Sequence, residues 1–89
     1  MKNIYVLTAF DCSSQIFTAT QHYSNKKAAI ESFDELRIHL ITKHKINPSN
    51  CEIYTYKDGG ETRTDVLDKR YNVSLVKFSV SKEKSKFIY

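Results

Sequence analysis

Glycine and proline are nearly missing from this chain of 89 residues, which has two Gly and one Pro. So few breakers imply mostly regular structure with short connections. Tryptophan is absent, and the two cysteines, Cys12 and Cys51, stand far apart. No CxxC pair exists, which excludes a zinc knuckle or a dithiol redox motif. Two isolated thiols fit a reducing compartment. No apolar run approaches the roughly 20 residues that span a membrane. Met1-Lys2-Asn3 leads straight into a strand-like run of about eight residues, too short for a secretory signal. The expected location is therefore the cytoplasm.

What is present suits a small folded domain. Apolar content of 40% and charged content of 27% argue against wholesale disorder. The reading is one α+β domain over residues 1–80, followed by a basic C-terminal tail at 81–89.

One stretch organises the rest. From Asn25 to Ile46, apolar residues fall at Ala29, Ile30, Phe33, Leu36, Leu40 and Ile41. This is the spacing of one helical face. Ser24 is the expected N-cap and Pro48 the expected stop. The remainder reads as strand and turn. Asn3–Phe10 places Ile4, Val6, Thr8 and Phe10 on one face and Tyr5, Leu7 and Ala9 on the other. Both faces are apolar, which predicts an interior strand. Asp11-Cys12-Ser13-Ser14 is turn chemistry. Gln15–His22 follows as a hairpin partner, with Ile16, Thr18 and Thr20 opposite Phe17, Ala19 and Gln21. Cys51–Lys57, Thr62–Leu67 and Tyr71–Val80 complete the strands, and Asp58-Gly59-Gly60-Glu61 carries a strong hairpin signal. In the last strand the apolar phase shifts between Leu75 and Val76, which predicts a bulge there. The order is ββαβββ, one helix on a mostly antiparallel sheet.

Catalytic chemistry finds little support. His39 and His44 are five apart, which does not match the i, i+4 pair of a helical zinc site. Cys12 has no cationic neighbours to lower its pKa, and Ser13-Ser14 has no surrounding motif. Gly59-Gly60 lies between two acids, Asp58 and Glu61, and is too short to cradle phosphate. The expectation is no enzyme, no cofactor and no metal.

Charge points elsewhere. The net charge is +4, and it all arises after Thr42, because Lys2, Lys26, Lys27 and Arg37 cancel Asp11, Glu31, Asp34 and Glu35. Nucleic-acid binding needs cations that track phosphates, and single strands add aromatics for stacking. Lys57, Arg63, Lys69, Arg70 and Lys77 are the expected phosphate contacts, with Lys82, Lys84 and Lys86 as a supporting tail. Tyr54 and Tyr56 share a strand face opposite Cys51 and Ile53, so they are the expected stacking platform. The alternative is a module that binds protein. A thin antiparallel sheet exposes edges, and Phe87-Ile88-Tyr89 would anchor on its own domain or on another subunit. A homodimer is expected.

The strand-first Met1-Lys2-Asn3 start, the ββαβββ layout and the Lys, Asn, Tyr and Ile usage of Lys43 to Tyr56 resemble the small accessory proteins of tailed bacteriophages. That resemblance implies a non-enzymatic, antitoxin-like or anti-defence inhibitor acting in the host cytoplasm. It would bind a host toxin, nuclease or CRISPR effector, or that target's RNA.

Overall fold

The computed structural model describes residues 2–57 and 61–80, and side chains within 3–55 and 63–78. Five strands and one long helix appear in the order β1 (Lys2–Asp11), β2 (Ile16–Tyr23), α1 (Lys26–Lys43), β3 (Cys51–Lys57), β4 (Glu61–Leu67) and β5 (Tyr71–Val80). A single 3₁₀ turn, Pro48–Asn50, leads into β3. The strands form one sheet in the spatial order β2-β1-β5-β4-β3, with every neighbouring pair antiparallel. The fold is the α+β arrangement expected, and β1 is interior. Residues 81–89 lie outside the described residues.

The helix packs mainly on β5, β1 and β2. Tyr5, Leu7 and Ala9 of β1, Val73 and Leu75 of β5, and Leu67 of β4 face Ala29, Phe33 and Leu40 of α1, and all are buried. This is the odd-numbered face of β1, β4 and β5. One core therefore lies between the helix and one side of the sheet.

Four local readings are corrected. The N-cap is Asn25, not Ser24. Its extended backbone starts the helix and its side-chain oxygen accepts from the Ala28 amide at 3.1 Å. The helix also ends before Ile46 and without help from Pro48. Lys45 takes a left-handed φ of 53°, its amide donates to the Thr42 carbonyl at 3.4 Å, and Ile46 donates to the Ile41 carbonyl at 3.0 Å. These are the paired bonds of a Schellman cap, and they turn Ile46 into the core.

In the first hairpin the register slips between Ala9 and Phe10, so that Ala9 faces Ala19 but Phe10 faces Phe17. The extra residue, Thr18, moves Phe17 off the face it would share with Ala19. Phe17 then meets Phe10 edge-on, with ring centroids 5.1 Å apart.

The fourth correction concerns β5, which pairs with β1 without interruption from Lys2–Val80 to Asp11–Tyr71. No bulge exists at Leu75-Val76. The phase shift marks a change of face instead: Tyr71, Val73 and Leu75 lie on the helix side, while Val76 and Phe78 lie on the other.

Candidate functional site

Of the residues expected to bind nucleic acid, the five whose side chains are described, Tyr54, Arg63, Lys69, Arg70 and Lys77, do not share one surface. Arg63 lies in β4 on the helix side. Its Nε donates to Asp65 Oδ1 at 2.9 Å and its Nη2 to Asp65 Oδ2 at 3.1 Å. The same guanidinium sits 5.0 Å from the centroid of the Phe33 ring. Asp65 is 1% exposed, and Arg37 approaches it from the helix at 3.5 Å. A buried carboxylate needs such partners, and its hydrogen bonds raise the Arg63 pKa above its ordinary value. Arg63 thus joins helix to sheet and is occupied by that task.

Lys77 pairs in register with Tyr5, which also puts it on the helix side. Tyr54 lies on the opposite face, where its hydroxyl donates to the Glu52 carboxylate. An acid beside the ring opposes a phosphate chain there. The side chains of Tyr56 and Lys57 lie outside the described residues, as do Lys82, Lys84 and Lys86.

Lys69 and Arg70 do gain company. They belong to the turn between β4 and β5, where Asp68 and Lys69 both have positive φ, 51° and 55°, and the Arg70 amide closes on the Leu67 carbonyl at 2.9 Å. That is the pattern of a type I′ turn. Arg70 Nη1 donates to the His44 carbonyl at 3.4 Å, which docks the turn against the helix C-terminus. The His44 ring stacks on Tyr71 with centroids 4.7 Å apart, and Arg70 lies 5.8 Å from the same tyrosine ring. Lys43, Lys45, Lys69 and Arg70 are all exposed at this end of the molecule. The helix C-terminus also favours cations there. Nearby, Asp11 accepts from the Ser13 amide at 2.9 Å. That bond, ahead of contributions from Ser14 and His44, lowers its pKa below the ordinary carboxylate value.

The larger feature is the sheet face away from the helix. On β1 it presents Ile4, Val6, Thr8 and Phe10, and on β5 Asn72, Ser74, Val76 and Phe78. The register sets Ile4 beside Phe78, Val6 beside Val76 and Thr8 beside Ser74. Phe17 and Phe78 are 63% and 52% exposed. A sheet solvated on one side ordinarily alternates apolar inside with polar outside. Here β1 is largely apolar on both sides, and β5 adds Val76 and Phe78 to the outer one. Across the middle runs a row of hydroxyls, Thr20, Thr8, Ser74 and Thr64. Within it, the Thr64 and Ser74 hydroxyls lie 3.0 Å apart. Among the described side chains of this face there is no Lys or Arg, and the acid is Glu52 on the edge strand β3.

Sequence reasoning named the tyrosines of this face and missed its apolar centre. The signals were present in the doubly apolar β1 and in the phase shift of β5. The basic end was illegible for a different reason: Lys43 and Lys45 meet Lys69 and Arg70 only through tertiary packing. Among the described residues, no three His, Cys, Asp or Glu side chains converge as metal ligands. No described helix is long and apolar enough to cross a membrane. Comparison with known proteins gives no match to a family model, a curated protein or a solved structure.

Proposed function

We propose that this chain is a non-enzymatic binding protein whose bare sheet face docks against a folded protein. The observation that carries this reading is the pairing of Val6 with Val76 and Ile4 with Phe78 on the side of the sheet the helix does not cover. Such a patch, rimmed by polar residues, is what protein interfaces present. The likeness to phage accessory proteins would make a host toxin, nuclease or defence effector the target that the assembled protein inhibits. The test places a photo-crosslinking amino acid at Phe78 and, as a control, at Ile38 on the outer surface of the helix. Protein adducts from position 78 and not from 38 are expected in cells. Equal adducts from both positions, or none from 78, would overturn the reading.

A second reading, RNA or single-stranded nucleic acid, is supported by the docking of Arg70 on the helix end that carries Lys43, His44 and Lys45. This moves the phosphate site from the sheet surface to the end of the domain. Binding of a labelled single-stranded RNA at several salt concentrations tests it. The double variant Lys69→Ala/Arg70→Ala should bind more weakly and lose about one unit of log–log salt slope per contact removed. Unchanged affinity and slope would remove both residues from any such site.

A further inference from the structure

We infer that the bare sheet face is covered by a second copy of this chain, the two sheets packing face to face about a two-fold axis. The inference rests on the protein-docking reading above and names the occupant.

Three observations favour a copy over an unrelated protein. The first is extent. Five hydrogen-bonded strands of seven to ten residues give a face about 24 Å wide and about 25 Å long at ordinary strand spacing and rise. Two such faces together cover roughly 1,200 Å², which meets the roughly 1,000 Å² that a specific interface needs.

The second is charge. The chain carries +4, so two copies repel wherever their cations face each other. The described side chains of this face include no Lys or Arg, and Glu52 sits at its edge. Arg37, Arg63 and Lys77 lie on the helix side and Lys43, Lys45, Lys69 and Arg70 at the basic end, while the side chain of Lys2 on β1 lies outside the described residues. A two-fold contact through the described part of this face therefore keeps those cations apart, and its described charged side chain is Glu52, with His22 the further titratable group.

The third is self-complementarity. A two-fold contact sets one patch against itself, so the patch must tolerate its own polar groups. Its hydroxyls form one row across the sheet; on one side of that row Val6 and Val76 lie together with His22 at the β2 edge, and on the other Phe10 and Val66 flank Asn72. Within that row Thr64 and Ser74 already bond each other at 3.0 Å, which reduces the cost of covering them. Two twisted sheets of the same hand also stack readily at a small angle, with side chains from each inner face interleaved. The assembly has four layers, helix, sheet, sheet, helix, with Val6 and Val76 at its centre.

The test is sedimentation of the purified full chain, wild type and variants, over a concentration series up to about 100 µM. The wild type should sediment at twice its 10.4 kDa mass. Val76→Lys, at the centre, and Phe78→Glu, at an exposed position, should each weaken the dimer by about 30-fold or more. Ile38→Lys, on the outer helix surface, should leave it unchanged. Circular dichroism melts confirm that each variant is folded; should Val76→Lys fail to fold, Phe78→Glu alone decides. A monomeric wild type, or a folded Phe78→Glu variant as dimeric as the wild type, overturns the inference. The two failures are distinct. A monomer that still crosslinks a different protein from position 78 loses the second copy and keeps the docking face. A monomer that crosslinks nothing loses both.

Discussion

Arg63 grips Asp65 through two parallel hydrogen bonds of 2.9 and 3.1 Å, and the carboxylate it holds is the most buried charge described in the domain. The pair closes the core where helix and sheet meet. Arg63→Ala leaves that carboxylate with Arg37 alone, at 3.5 Å. Breaking a buried pair from one side costs about 3–5 kcal/mol, and the remaining arginine lowers this to about 2–4 kcal/mol. Urea denaturation measures it. A loss under about 1 kcal/mol would mean that water reaches Asp65 once Arg63 is gone.

Lys45 is a lysine in the left-handed position that closes a helix, where glycine is ordinarily favoured. Lys45→Gly removes the steric cost of its Cβ and should stabilise the protein by about 0.5–1 kcal/mol, net of the flexibility glycine adds to the unfolded chain. For a domain of this size that is a rise of roughly 3–6 °C in Tm. A fall in Tm would mean that the Lys45 side chain makes a contact worth more than the strain.

Lys69 sits in the same region of φ within a type I′ turn. Lys69→Gly supplies the preferred residue there and should raise Tm by a few degrees. If the basic end binds RNA, the same change lowers RNA affinity. One variant then moves stability and binding in opposite directions, which a general unfolding effect cannot imitate. Thermal melts and RNA titration read the two quantities separately.

Asp11 gives the pH dependence. Its folded pKa is lowered, chiefly by the Ser13 amide, so its contribution to stability is present above the ordinary carboxylate pKa. The contribution fades as pH falls through the lowered folded value. Asp11→Asn should flatten the acid limb of a plot of Tm against pH below about pH 4. An unchanged acid limb would show that the turn holds equally well with a neutral carboxyl.

Phe17 and Phe78 are large, exposed and on the same face. Replacing either with Ser should change the stability of the isolated fold by under about 1 kcal/mol. At concentrations low enough for the chain to be monomeric, the same substitutions should lower binding of a hydrophobic dye to the face. A large loss of stability in either variant would show that the residue belongs to the core of the domain itself.

The sequence made the architecture readable because period does most of the work. The 3.6-residue rhythm of Ala29, Phe33, Leu36 and Leu40 and the alternation of Tyr5, Leu7 and Ala9 are local signals, and both survive in the structure. What failed was local geometry without a compositional marker. Thr18 forms a bulge with no glycine to announce it, and Lys45 closes a helix as glycine would. The shift at Leu75-Val76 had two physical explanations, an inserted residue or a second apolar face. Only the partner strand's register could choose between them. Arg63 illustrates the limit for the site: a cation counted toward a basic surface was consumed by a buried acid two residues away.

The seam between β1 and β5 joins the beginning of the described sheet to its end, with Lys2 opposite Val80. During synthesis β1 and β2 can pair as soon as they emerge. The other edge of β1 must then wait for the 57 residues from Ser24 to Val80, which carry α1, β3, β4 and β5. At ordinary translation speed that wait lasts roughly 3–12 s. For that interval an apolar strand has an unpaired edge and no sheet on one side. Sequence-distant pairing of this kind slows folding and invites wrong partners. Crowding of nascent chains on one messenger would therefore be the circumstance in which this small protein is most easily lost to aggregation.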